Sequence, residues 1–213
     1  MGLSPGAAGR EAGVAEKFFW IGNHLSLDFI NTEMIKRGVR TDLIEGVADF
    51  VGWCVQARIL STRQGKDMVR AWGRHPAGER ALRQAREFRA MLRGTIERIA
   101  AGKPVPATAV VSLNERLHQR SGRHELVRAR GRFERRFCLD CSQVSHLLVP
   151  LAESAVELLC ANEFSLIRKC RNDACILYFY DTTKNHARQW CSMGLCGNRI
   201  KVAAHYRRKK KGG

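Results

Sequence analysis

RKCRNDACILYFYDTTKNHARQWCSMGLCGNRIK, Arg168 to Lys201, is the stretch that decides how the rest of the chain is read. It contains two cysteine pairs, Cys170 with Cys175 and Cys191 with Cys196, with four residues inside each pair and fifteen between the pairs. Thiolates are soft ligands for Zn²⁺, and two short loops about 15 to 20 residues apart close a tetrahedron with no coordination position left open. The spacing therefore predicts one structural zinc ion held by Cys170, Cys175, Cys191 and Cys196. A catalytic zinc keeps a water in place of one protein ligand, and four thiolates leave it no room. Asp181 and His186, between the pairs, are expected to make turn hydrogen bonds.

Working outward, FSLIRKC and ILYFYD flank the first pair with β-branched and aromatic residues, so short strands are expected on either side of the knuckle. After the last cysteine the chain runs GNRIKVAAHYRRKKK without a proline, which predicts a basic C-terminal helix within Met193 to Lys211. Asn198, Lys201, His205 and Arg208 share one face of it. With Arg199 and Arg207 they form the candidate nucleic-acid contacts, because Arg and Lys neutralise phosphates while Asn and Arg also match base edges.

Charge points the same way. The 213 residues carry a net +17, and a chain so basic attracts polyanions over long range. From Arg168 to Lys211 there are twelve Lys/Arg against two Asp, a net +10, which leaves +7 for residues 1–167. The zinc module is the more densely basic part.

Upstream, residues 1–16 are rich in Gly and Ala and read as a flexible leader. Residues 17–163 read as one mostly helical domain and 164–213 as the zinc module, an α+β chain overall. Leu43, Val47, Phe50, Val51 and Cys54 recur at helical spacing, and Ser61 with Gln64 makes a capping box for a second helix. Pro76 opens a longer one with a stripe of Leu82, Ala85, Phe88, Leu92, Ile96 and Ile99. Gly102 and Pro104 stop it, and its arginines are expected on a solvated face. Pro106 to Gln119 predicts a short helix, and HELVRARGRFERRFCLD a β-hairpin turning at Gly131. Ser142 to Leu159 returns to helical spacing, with a kink or delayed start at Pro150.

Of the eight cysteines, Cys54 and Cys160 fit apolar helical stripes and are expected in the core, while Cys138 and Cys141 form a C-x-x-C lacking thioredoxin-like context. The chain opens with no signal-peptide pattern and holds no run of about eighteen apolar residues, so a reducing cytoplasm and no membrane span are expected.

The quoted stretch resembles a CGNR zinc finger: Cys196, Gly197, Asn198 and Arg199 are its defining tetrapeptide, and WCSM and FYD fit its pattern. HLSLDFINT, His24 to Thr32, is similar to the opening of the ABATE domain that commonly precedes this finger. The resemblance implies a bacterial stress-induced transcription regulator with a treble-clef or ribbon-like C-terminal finger. It carries the four cysteines over as ligands, and in it Asn198 and Arg199 brace the knuckle or touch DNA. Asp28, Asn31 and Thr32 match the N-terminal signature; with His24 they make either core hydrogen bonds or an effector pocket.

The resulting expectation is a DNA-binding regulator of the cytoplasm, located at the nucleoid, whose N-terminal domain senses an effector or dimerises. No catalytic residue is assigned. The rival readings are an RNA-binding or protein-interaction zinc module and, further off, an enzyme with a pocket near His24 and Asp28. A homodimer would suit a palindromic site, but no heptad pattern demands one.

Overall fold

The computed structural model describes residues 17–129, 131–140 and 143–211, apart from the side chains at 144, 204–208, 210 and 211. The leader, Cys141 and the side chains of His205, Arg207 and Arg208 lie outside the described residues. In order, the elements are α1 (Leu25–Ile30), β1 (Glu33–Lys36), β2 (Val39–Asp42), α2 (Val47–Gln56), α3 (Thr62–Trp72), α4 (Pro76–Ala100) and α5 (Ala107–His118). They continue with β3 (Gly122–Ala129), β4 (Arg132–Leu139), a 3-10 turn (Val144–Leu148), α6 (Val149–Cys160), β5 (Ile167–Lys169), β6 (Tyr178–Tyr180) and α7 (Asn198–Lys211). Each consecutive strand pair forms its own antiparallel two-stranded ladder.

Local chemistry explains most boundaries. The Ser61 hydroxyl accepts the Gln64 amide at 3.2 Å, and the Gln64 side chain accepts the Ser61 amide at 2.9 Å, the reciprocal box that starts α3. Pro76 opens α4 where no amide partner is needed, and Gly102 at φ +69° turns the chain away after it. Pro150 falls in the first turn of α6, behind the 3-10 turn, so the helix start is delayed and no kink forms. The short elements α1, β1 and β2, of six, four and four residues, carry too little periodicity to stand out in the sequence.

The predicted stripe of α4 is buried, and it packs into a core centred on Phe29, Phe50 and Trp53. The ring centroids of Phe29 and Trp53 lie 5.2 Å apart. This core continues without interruption into Ile167, Leu177, Tyr178, Phe179 and the four C-terminal cysteines. The two halves of the chain thus bury one apolar interior.

Two expectations need correcting. Cys160 is exposed, because it closes the last turn of α6 beyond the packed face; Cys54 is buried as expected. The arginines of α4 are not all solvated: Arg89 and Arg93 are only 2% and 5% exposed. Arg89 donates to both Asp42 carboxylate oxygens, at 2.8 and 2.5 Å, and to Thr32 Oγ1 at 2.7 Å. Arg93 donates to the Ile30 carbonyl, to Glu33 Oε2 at 3.2 Å and to the Ile176 carbonyl at 3.0 Å. A guanidinium has five donors in a fixed fork, and its burial is tolerable when carboxylates and carbonyls take its charge in this way.

Candidate metal centre and nucleic-acid interface

Strands β5 and β6 form the first half of the knuckle, with Arg168 opposite Phe179 in register. The Cys170 amide donates to the Leu177 carbonyl at 3.0 Å and the Cys175 amide to the Asn172 carbonyl at 2.8 Å, so the turn between them points both thiols inward. The second pair sits around a π turn, Met193–Gly197, started by Ser192, whose hydroxyl accepts the Leu195 amide at 3.0 Å. Gly197 is closely packed there: a Cβ would lie 2.5 Å from the Met193 sulfur and 3.1 Å from the Trp190 ring. The WCSM residues and the tetrapeptide glycine thus belong to one packing contact.

All four cysteines are buried, and their sulfurs lie within 4.8 Å of one another. A tetrahedron with Zn–S near 2.3 Å has edges of about 3.8 Å, and Cys175 Sγ is 3.9 Å from Cys191 Sγ. Asn172 Nδ2 donates to Cys196 Sγ at 3.3 Å, the kind of outer contact that orients a metal-bound thiolate. Hydrogen bonds from the Cys175 and Cys191 thiols pull Cys170 down to about 2, and contact with Cys170 pushes Cys175 up to about 12 and Cys191 upward as well. Four thiolates brought within 4.8 Å of one another repel, and they share this space only around a cation. The donor set therefore fits zinc.

Asp181 is buried beside the knuckle. It accepts the Thr183 amide and hydroxyl at 3.0 and 2.6 Å and the Arg188 amide at 3.0 Å, and Arg168 stands 3.5 Å away. Burial raises its pKa, but these donors outweigh burial and hold it below the usual range. His186 Nδ1 contacts the Asp181 carbonyl at 3.1 Å. Both residues make turn hydrogen bonds, as the sequence suggested.

The HLSLDFINT segment faces this knuckle. Asn31 donates through Nδ2 to the Tyr178 carbonyl at 2.7 Å and accepts the Tyr178 amide at 3.0 Å, so its side chain pairs with β6 as a neighbouring strand would. The Tyr180 amide donates to the Gly22 carbonyl at 2.8 Å, and Arg188 donates to the Ile21 carbonyl at 2.8 Å and to the Cys191 carbonyl. Asp28 Oδ1 accepts the Ile21 and Gly22 amides at 2.9 and 2.7 Å and holds that loop in shape. Burial pushes Asp28 up to about 7, against the pull of those amides and of Arg188. Thr32 donates to the Phe29 carbonyl at 2.7 Å, and His24 Nδ1 lies 2.8 Å from the Ser154 hydroxyl. Burial lowers the His24 pKa, with Glu157 opposing.

His24, Asp28, Asn31 and Thr32 are thus all engaged in internal hydrogen bonds. Asn31 serves the seam directly, and Asp28 does so through the loop it shapes. Sequence reading recognised the signature without finding its partner, since nothing local links Asn31 to Tyr178. A groove of about 700 Å³ opens on the same seam, with Ile99, Phe164 and Ile167 on its wall and Arg168, Lys169, Arg171 and Arg188 around it.

The model of the ABATE family, described as "Putative stress-induced transcription regulator", matches residues 23–162, and that of the CGNR zinc finger matches residues 167–209. The chain belongs to the ABATE family. No curated protein is significantly similar to it. In this ABATE protein the two matched segments meet at the seam just described, and the finger with its four buried cysteines fits one structural zinc ion. Among the described residues no helix is long and apolar enough to cross a membrane.

Beyond the metal, Cys196 lies in the π turn that runs directly into α7. Asn198, Arg199 and Lys201 are exposed on its first turn, and the helix sequence has no acidic residue. Arg199 also lines a small cavity beside Asn172 and Cys196.

Proposed function

We propose that this ABATE protein is a DNA-binding regulator in which residues 17–163 are the sensing or dimerising body and residues 164–213 the DNA-contacting part. One observation carries the reading: a cysteine of the metal site sits in the turn that becomes α7, so zinc fixes the base of an acid-free, basic helix. Asn198, Arg199, Lys201, His205, Arg207 and Arg208 are its proposed contacts. The geometry supplies a mount and a polycation and asks for no catalytic step. Such a protein works in the cytoplasm, at the nucleoid.

Fluorescence anisotropy with labelled duplex DNA tests this. Affinity is expected to fall steeply with salt, with a log–log slope of about −0.9 per phosphate neutralised. A flat response between low and moderate salt would overturn the reading. Competition at fixed salt with structured RNA and single strands separates DNA from the RNA-binding alternative, since simple attraction makes any polycation bind all three.

The seam groove favours a second element, effector sensing. Lys169 and Arg171 line it together with apolar Ile99, Phe164 and Ile167, while Arg168 and Arg188 are held by Asp181 and by the Ile21 and Cys191 carbonyls, and its volume lies within the range of about 300–1,000 Å³ typical of small-ligand sites. A small polyanion bound there would touch both family segments. Thermal shift with pyrophosphate should show stabilisation that Arg171→Glu removes; equal shifts in both proteins would remove this element.

A further inference from the structure

Register pairs in an antiparallel ribbon share a face, so the two sides of β3–β4 can be read separately. One side carries Gly122 with Leu139, His124 with Phe137, Leu126 with Arg135, and Arg128 with Phe133. Leu139 packs on the core and Arg120 stands 4.2 Å from the Phe137 ring, so the uncovered part of this side is the outer end with Leu126, Arg128, Phe133 and Arg135. The other side carries both acids of the ribbon, and there Glu125 is already engaged, by Arg123 at 2.7 Å and by the Cys138 thiol at 3.2 Å. The first side has two arginines and no carboxylate. It also presents Leu126 at 74% and Phe133 at 70% exposure, the two most exposed large hydrophobic side chains among the described residues.

This combination needs explaining. An eight-residue ladder with an apolar, solvent-facing side is an aggregation hazard unless something covers it. A second copy of a chain of net +17 would bring like charges together. Duplex DNA meets each feature: the major groove, about 12 Å wide, admits a two-stranded ribbon, arginines meet phosphate or guanine, and apolar side chains meet thymine methyls. The Arg128 guanidinium lies 5.7 Å from the Phe133 ring, so charge and apolar surface are presented together at the far end of the ribbon.

We infer that the outer end of this side of the ribbon, with Leu126, Arg128, Phe133 and Arg135, is a second DNA-docking element, entering the major groove in addition to the contact made by α7. The inference rests on the DNA-binding reading above but concerns a separate element, and its test keeps the two apart. Duplex affinity is measured on the zinc-loaded full chain for Phe133→Ala, for Arg128→Ala with Arg135→Ala, and for Arg132→Ala with Arg136→Ala. Phe133→Ala, which leaves net charge unchanged, is expected to weaken binding about fivefold or more, on the scale of a lost base contact. The Arg128/Arg135 pair should cost more than the Arg132/Arg136 pair, although each removes two charges. Because Phe133 is exposed, its variant should melt with the wild type; Leu126→Ala gives an independent readout on the same side.

Wild-type affinity in Phe133→Ala and Leu126→Ala, or equal losses in the two arginine pairs, would overturn the inference. So would a wild-type dimer that Phe133→Ala turns into a monomer, which would assign the face to a second copy. Arg207→Ala with Arg208→Ala is measured alongside. If that variant loses affinity while the ribbon variants do not, only this inference fails; if none responds and binding ignores salt, the DNA reading fails with it.

Discussion

Helices α4 and α7 are both rich in arginine, and they use it for opposite ends. In α4, Arg89 and Arg93 point inward, where Asp42, Glu33 and three backbone carbonyl or hydroxyl groups of the N-terminal segment and the knuckle absorb their charge. In α7 the sequence offers no carboxylate, and the cations of its first turn face water. A net +17 is therefore two properties: part is internal wiring that joins the halves of the chain, and part is free to meet a polyanion. Mutations that remove similar charge from the two helices should have unrelated consequences.

The largest expected effect lies where the wiring ends, at the metal. Cys191→Ser should release zinc, which contributes on the order of 10 kcal/mol or more to ordering a module of this kind. Since Leu177, Tyr178 and Phe179 share a core with Leu27 and Phe29, the loss should lower the urea midpoint of the whole body. Two well-separated transitions in tryptophan fluorescence, with zinc content measured in parallel, would show the seam to be weaker than drawn.

Next comes the buried wiring. Arg89→Met takes two hydrogen bonds from the half-buried Asp42 carboxylate, which keeps Arg86 at 3.5 Å and the Ile44 amide at 2.8 Å, and a loss of this kind costs about 1–3 kcal/mol. Urea unfolding should show a loss near that size, and no more than a surface arginine costs, about 0.5 kcal/mol, if the ion pair contributes nothing. Asn31→Ala leaves the buried Tyr178 amide and carbonyl without partners, at about 1–3 kcal/mol for each group left unsatisfied. Asn31→Asp should do no better, because a carboxylate cannot donate to the Tyr178 carbonyl.

A smaller, pH-dependent effect separates Asp28 from the carboxylates of the wiring. Its folded pKa, pushed by burial to about 7, lies above its unfolded value, so the folded state binds the proton more tightly. Its contribution is fully present below about pH 4 and is lost as pH rises through about 7. Glu33 and Asp42 behave oppositely: burial raises their pKa values, but Arg40 and Arg89 respectively, with their neighbours, hold them low, so their contribution is present at neutral pH and lost on acidification. Against Asp28→Asn, wild-type stability should therefore decline between pH 5 and pH 8. Parallel melting curves for the two proteins over that range would remove the assignment.

These contrasts also show what the sequence could reveal. The metal site was legible because four ligands at fixed spacing lie on one short stretch, and the long helix because its stripe recurs from Leu82 to Ile99 within a helix of twenty-five residues. The direction of the α4 arginines was not, since an arginine looks the same in sequence whether Asp42 waits opposite or water does. Nor was the task of Asn31, whose partner Tyr178 lies 147 residues away. The ribbon was seen as a hairpin, but its one-sided distribution of acids depends on register, which only the paired strands disclose.

The smallest effect on stability is expected at the other end of the comparison. Arg207→Ala with Arg208→Ala removes two cations from a helix whose sequence holds no acid to pair with them, so the unfolding free energy should change by less than about 0.5 kcal/mol. The same change should reduce the salt slope of DNA binding by about two, one per phosphate contact, and weaken all sequences alike. If affinity falls at one base position only, these residues read bases. A large loss of stability instead would mean that α7 is wired into the body as α4 is, and the division of charge between the two helices would have to be redrawn.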